Sequence, residues 1–113
     1  MVKLGIEIER RKKMTSEDLV ARIAYANNIL KIAEKLDKAK IPYKIETLWE
    51  GYALTFPWCD GDIVSHAMIY GAQQGAVESA GMPWDDELDV TVLSAKDMGD
   101  KILAYYMLRK TIK

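Results

Sequence analysis

Hydrophobic and polar positions change their period along the chain, and each change marks a predicted element. From Thr15 onward, apolar residues recur every three or four positions, which is typical of an amphipathic helix. Thr15 and Asp18 fit a capping box, and Pro42 disfavours helical backbone at Ile41. These features predict a helix over 16–39. Its apolar stripe would consist of Leu19, Ile23, Ala26, Ile29 or Leu30, Ala33 and Leu36, widened by Val20 and Ile32.

Alternating apolar and polar residues follow the helix and predict strands. Residues 43–49 alternate, with one face expected to be wet, and Glu50-Gly51 suits a hairpin turn before a return strand over 52–56. The run Cys59-Asp60-Gly61-Asp62 predicts a turn, because Asp-Gly is a strong turn dipeptide. Residues 89–93 form a short β-branched run and predict a further strand.

The stretch 63–82 fits two interpretations. Apolar residues at helical spacing allow a helix, and alternation allows strands. Gly71, Gly75 and Gly81 would each cost a helix about 1 kcal/mol relative to Ala. They favour two strands, about 63–70 and 76–82, joined by a turn at 72–74, while a helix over 63–80 stays open.

A second capping box at Ser94–Asp97 predicts the start of a final helix. Tyr105 and Tyr106 are adjacent, so they cannot both lie in the centre of one apolar stripe. We expect one of them to lean outward and to form the seam of a homo-oligomer. The apolar side of this helix would consist of Met98, Ile102, Leu103, Tyr106, Met107 and Ile112.

The elements together predict one α+β domain over 1–113. An antiparallel sheet of four to five strands would be flanked by two helices, in the order α-β-β-β-β-β-α. Residues 1–13 begin with alternating apolar positions, which indicate a short strand or an N-terminal arm. The basic run at 10–13 lacks interleaved aromatic residues, so we interpret it as a solvated linker.

Composition indicates the cellular environment of this domain. No apolar run approaches the ~20 residues that span a bilayer, so no membrane partner is expected. The single cysteine, Cys59, cannot form an internal disulfide, which favours a reducing cytoplasmic environment.

Charge is distributed unevenly, and this distribution provides the first indication of a partner. Residues 45–100 contain eleven acids and one lysine, whereas the segments on either side are basic. Turn-forming acids explain part of this pattern. An acidic face that meets a partner protein with a basic surface explains it as well, and it argues against direct nucleic-acid binding. The predicted partner-binding residues are Trp58, Asp60, Asp62, Trp84, Asp85, Asp86, Glu87 and Asp89.

Residues with reactive or ionisable side chains suggest a second hypothesis about function. Cys59 and His66 are a nucleophile and a base in type, but no glycine elbow or oxyanion motif accompanies them. We therefore assign no catalytic residue, no metal and no cofactor. The alternative is a small-molecule binder, for instance of a nucleotide-derived signal, or a small enzyme, with a site at Cys59, Asp62, His66 and Glu78.

Residues about 56–105 contain a series of motifs at fixed spacing, namely Pro57-Trp58, Asp60-Gly61-Asp62, His66, Tyr70-Gly71, Glu78-Ser79, Pro83-Trp84-Asp85 and Asp89-Val90-Thr91-Val92-Leu93. This series resembles small uncharacterised proteins of bacteriophages and prophages. The resemblance implies a phage-type accessory protein in a bacterial cytoplasm, and it favours strands across the central stretch. Together with the acidic charge, it leads us to expect a non-enzymatic inhibitor of a host protein with a basic surface. A nuclease or a defence complex such as a CRISPR effector, as for an anti-CRISPR protein, is the natural target.

Overall fold

Two helices and five strands make up the fold. The computed structural model describes residues 15–48, 50–87 and 89–112, so the predicted N-terminal arm lies outside the described residues. Neither described helix is long and apolar enough to cross a membrane. The elements are α1 (Ser16–Ala39), β1 (Lys44–Leu48), β2 (Gly51–Phe56), β3 (Cys59–His66), a 3-10 turn (Ala72–Gln74), β4 (Ala76–Ala80), β5 (Thr91–Ser94) and α2 (Ala95–Ile112).

The five strands form one antiparallel sheet in the order β1-β2-β3-β4-β5. The predicted α+β class and element order are confirmed. In the central stretch two strands form instead of a helix, but β3 ends at His66 and β4 at Ala80, four and two residues earlier than predicted. Gly71 and Gly75 adopt positive φ on either side of the 3-10 turn. Glycine tolerates this backbone because it has no Cβ.

Helix α1 begins and ends where the sequence predicts. The Thr15 side chain accepts a hydrogen bond from the Asp18 N–H, and the Asp18 carboxylate accepts one from the Thr15 N–H. Lys40 ends the helix in the left-handed region, where its N–H donates to the Asp37 carbonyl. The second capping box is observed in its Ser94 half, since the Ser94 Oγ accepts from the Asp97 N–H.

The predicted turn at Cys59–Asp62 is wrong, because these residues begin β3. The chain reverses instead at Pro57 and Trp58. Gly61 lies inside the strand, where a Cβ would come 2.6 Å from the Gly81 carbonyl carbon and the Met82 nitrogen. The glycine therefore permits a close backbone approach and does not make a turn.

The role assigned to Gly51 needs a similar correction. Gly51 is the first residue of β2, it pairs with Leu48, and its φ is not positive. A Cβ at this position would overlap the Ser65 carbonyl group on β3. Close contact between β2 and β3 requires glycine here.

One face of the sheet, which we call the inner face, packs under both helices. Its central side chains Leu54, Ile63 and Val77 are completely buried. They join one apolar cluster with residues from both helices, including Ile32, Leu36, Met98 and Ile102.

The predicted apolar stripe of α1 is only partly correct. Ile29, Ile32, Ala33 and Leu36 are buried, but so are Tyr25 and Asn28, and about half of each of Leu19, Ile23 and Leu30 is exposed. A helix of 24 residues is about 36 Å long, whereas a five-residue strand spans about 17 Å. The first turns of α1 therefore have no sheet beneath them to cover Leu19 and Ile23.

The structure also differs from the sequence prediction in the burial of β1, the start of β5 and the exposure of Met107. All five residues of β1 are exposed, so the expected single wet face is wrong, because α1 packs on β2, β3 and β4 while α2 packs on β4 and β5. Strand β5 begins at Thr91, two residues later than predicted. Met107, expected on the apolar side of α2, is 57% exposed.

Candidate interaction surface

The strand register assembles acids on the face of the sheet that the helices do not cover, here called the outer face. Directly paired residues share a face in an antiparallel sheet. One row of paired positions contains Lys44, Thr55, Asp62 and Ala80. The next row contains Glu46, Ala53, Val64, Glu78 and Val92.

Three acids from three strands therefore lie on adjacent rows of the outer face. They are Glu46 on β1, Asp62 on β3 and Glu78 on β4. Asp60 is also exposed, but the register shift opposite Asp60 and Gly61 interrupts the alternation of faces there. Among the described strand residues of this face, Lys44 carries the only positive charge, so the face is acidic as a whole.

Asp62 shows the electrostatic consequence most clearly. Partial burial raises the pKa of its carboxyl, and the negative charges of Glu46 and Asp85 raise it further. The ionised carboxylate is thus less well solvated here than in water and faces like charges. A cation supplied by a partner would relieve both effects.

The centre of the outer face combines small and larger side chains. Ala53 and Ala80 share rows with the acids, whereas Val64 lies between Ala53 and Glu78 and packs against the small apolar cluster that contains Ile69. Glu46 is exposed, and Asp62 and Glu78 are half-buried. Part of each carboxylate-bearing residue is therefore accessible to a partner.

The predicted acids at 85–89 divide into one structural residue and an exposed group. Asp85 Oδ1 accepts hydrogen bonds from Ser79 Oγ at 3.0 Å and from Thr91 Oγ1 at 2.5 Å, and its Oδ2 accepts from the Met82 N–H at 3.0 Å. These bonds join the loop after β4 to the strands on both sides of it. Asp86, Glu87 and Asp89 follow in the loop and are exposed.

Trp58 and Trp84 are anchors of an aromatic cluster on the helix side of the molecule. Trp58 donates through Nε1 to the Pro42 carbonyl at 3.0 Å, and Trp84 donates through Nε1 to Ser79 Oγ at 2.9 Å. Trp58 packs against Tyr106 and Trp84 against Tyr105, at ring-centroid distances of 5.2 and 6.1 Å. Both indoles are half-buried by the chain itself.

The same cluster contains the two residues predicted as an oligomer seam. Tyr105 contacts both tryptophans, and α2 also places Arg109 over Trp58 and Lys101 over Trp84. Intrachain packing thus accounts for much of the burial of Tyr105 and Tyr106. Their role in self-association stays a prediction.

The alternative ligand-site residues are not brought together. Cys59 and His66 are the first and last residues of the eight-residue strand β3, about 23 Å apart at the usual rise per residue. Cys59 donates to Met82 Sδ, and burial raises the pKa of its thiol. His66 Nδ1 accepts from the Met68 N–H. Only Asp62, His66 and Glu78 share the outer face, and no thiol–imidazole contact exists.

Neither a metal-binding cluster nor similarity to a known protein adds a further assignment. In residues 15–48, 50–87 and 89–112, no group of three or more His, Cys, Asp or Glu side chains is arranged to hold a metal ion. No family model, curated protein or solved structure matches the chain. The assignment of function therefore depends on the surface itself.

Sequence reasoning missed one member of this surface. Glu46 was placed on a strand but was not associated with Asp62, which is distant in sequence. The alternation of 43–49 predicts on which side of its strand Glu46 lies. Its alignment with Asp62 depends on the strand register, which follows from the two-residue connection between Leu48 and Gly51.

Proposed function

We propose that this chain is a non-enzymatic binding protein whose acidic outer face occupies a basic surface of a host protein. The observation that carries the proposal is the convergence of Glu46, Asp62 and Glu78 on a helix-free sheet face. Asp60 near the start of β3 is a further exposed acid, and Asp86, Glu87 and Asp89 add exposed acids in the loop beyond β4.

Electrostatics favour a protein partner of opposite charge. Complementary charge accelerates encounter and rejects like-charged partners, and salt weakens both effects. Asp62 adds affinity in a specific way, because a bound cation would stabilise a carboxylate that burial and neighbouring acids disfavour. A polyphosphate backbone would meet repulsion on this face, so we do not expect nucleic acid to bind there.

Host nucleases and defence complexes are the partner class that fits these charges. Their nucleic-acid grooves are lined with Lys and Arg, which contact phosphates. An acidic surface in such a groove would exclude the nucleic acid and inhibit the enzyme. The resemblance to phage and prophage proteins supports this setting in a bacterial cytoplasm, with a CRISPR effector as one candidate target.

The small-molecule alternative has less support. Its residues Cys59 and His66 lie at opposite ends of β3. The cleft at the start of α1 is lined by Glu17 and Asp18, among others, and their charge opposes that of a nucleotide phosphate. The binding-protein proposal uses residues that the fold does place together.

Affinity capture from a bacterial lysate tests the proposal. The immobilised chain should retain a partner at low salt, lose it at high salt, and release it to a soluble polyanion such as heparin. The double variant Asp62→Asn/Glu78→Gln should capture far less. Its matched control is Glu17→Gln/Glu34→Gln, which removes two exposed acids from α1 and should behave as the unmodified chain.

Equal capture by the double variant and the control would contradict the proposal. Retention of the partner at high salt and in heparin would also contradict it, since neither result is compatible with contacts between acids and a basic groove.

A further inference from the structure

Strand β1 is an edge of the sheet, and among the described residues β2 is the only strand that pairs with it. It is the first strand in the sheet order, and all five of its residues are exposed. Ile45 is 51% exposed and Leu48 is 39% exposed. An edge of this kind presents unpaired backbone groups to any strand that can align with it.

The hairpin register identifies which backbone groups are unpaired. Leu48 pairs with Gly51 across a two-residue connection, the arrangement in which the flanking pair exchanges both hydrogen bonds. Hydrogen-bonded and non-hydrogen-bonded pairs alternate from there. Lys44 and Glu46 therefore direct their N–H and C=O groups toward β2, whereas Ile45 and Thr47 direct theirs outward.

The charges of Lys44 and Glu46 favour one register for the pairing of β1 with β1 of a second copy. If β1 pairs antiparallel with β1 of a second copy, the register centred on Ile45 places Lys44 of each copy opposite Glu46 of the other. A shift by two residues either way places Glu46 opposite Glu46, or Lys44 opposite Lys44. Like charges directly opposite destabilise a strand pair, and opposite charges stabilise it.

We propose that the chain forms a symmetric dimer through β1. Ile45 lies next to the two-fold axis, and one Lys44–Glu46 pair lies on each side of it. Ile45 and Thr47 then exchange their outward backbone hydrogen bonds with the second copy. The two sheets join into one of ten strands, with all helices on the same side. This places two acidic outer faces side by side.

The other sheet edge does not offer the same pairing. Strand β5 has four residues, none of them charged, and leads directly into α2. No charge pattern there favours one register of self-pairing over another. Strand β1 is thus the edge that specifies its partner.

Charge reversal tests the pairing. We expect sedimentation or light scattering to show a concentration-dependent dimer, because a strand pair of five residues is a small interface. Lys44→Glu and Glu46→Lys should each weaken dimerisation at least about tenfold, since each places like charges opposite at two symmetric positions. The double variant Lys44→Glu/Glu46→Lys should restore it. A single mass of one chain up to millimolar concentration would overturn the proposal, as would failure of the double variant to recover.

Disulfide formation tests the register, with Cys59→Ala as the background. Ile45→Cys should cross-link to itself under mild oxidation, because paired residues have Cα atoms about 5.5 Å apart. Thr47→Cys lies opposite residue 43 and should not cross-link. Cross-linking of Thr47→Cys without Ile45→Cys would overturn the register, and neither cross-linking would overturn the pairing.

Two further variants distinguish dimerisation through β1 from dimerisation through α2. Ile45→Pro removes an outward N–H and should give a folded monomer, because the β1–β2 ladder does not use that group. Tyr105→Glu should leave the dimer intact if it remains folded by circular dichroism. A dimer lost in Tyr105→Glu and kept in Ile45→Pro would assign the seam to α2 and overturn the proposal.

Discussion

The two faces of the sheet differ in composition and in burial. The inner face carries Leu54, Ile63 and Val77, which are fully buried against both helices. The outer face carries Glu46, Asp62 and Glu78, and partial burial together with the charges of Glu46 and Asp85 raises the pKa of Asp62. Packing explains the residues on the inner face, whereas the acids on the outer face have no such explanation within the fold.

Truncation of one side chain on each face should produce the largest contrast. Ile63→Ala opens a cavity in the core and should lower the free energy of unfolding by about 2–5 kcal/mol. Val64→Ala, at the next residue, should cost less, about 1–2 kcal/mol, because Val64 is only partly buried against the cluster that contains Ile69. Urea denaturation measures both values, and equal losses would show that the outer face is packed as tightly as the inner one.

The acidic loop after β4 provides the next contrast. Asp85→Ala leaves the buried Ser79 hydroxyl, Thr91 and the Met82 N–H without their common acceptor, so it should cost about 2–3 kcal/mol. Asp86→Ala, at an exposed neighbour, should change stability by less than about 0.5 kcal/mol. If both substitutions were neutral, Asp85 would belong with the partner-binding acids and not with the fold.

The smallest expected effect concerns Asp62 and pH. Its folded-state pKa is raised, so the folded chain holds this proton more tightly than the unfolded chain does. Stability from this group is greatest at acid pH and declines as pH rises through the ordinary Asp pKa to the raised value. Asp62→Asn should therefore stabilise the chain at neutral pH, by less than about 1 kcal/mol after solvent screening.

Thermal unfolding of both proteins at pH 7 and near pH 3 measures this difference. The advantage of Asp62→Asn should shrink at the lower pH, where the native carboxyl is protonated. A variant that is less stable than the native chain at pH 7 would mean that the carboxylate supports the fold.

Local chemistry made much of the fold predictable. The Thr15–Asp18 capping box and Pro42 determine the bounds of α1 within the sequence itself. Gly71 and Gly75 identified the connection between β3 and β4, because both need positive φ. Asn28, in contrast, is buried and donates to Ser65 Oγ and the Ala72 carbonyl, and nothing in its neighbourhood along the chain predicts that contact.

Contacts between distant segments account for the errors. Gly61 resembles a turn residue, but its role depends on the approach of Gly81, twenty residues later. Trp58 and Trp84 pack against Tyr105 and Tyr106 of α2, and these contacts likewise join residues that are distant in sequence. The acidic character of the middle of the chain was visible in composition, but which acids share a face depends on strand register.

The dependence of partner affinity on salt tests the central claim about the outer face most directly. With the captured partner purified, its dissociation constant is measured at several salt concentrations for the native chain and for Asp62→Asn/Glu78→Gln. The acidic-face account predicts a steep weakening with salt for the native chain, and a weaker affinity with a shallower salt dependence for the double variant. Identical affinities and identical salt dependences would contradict it.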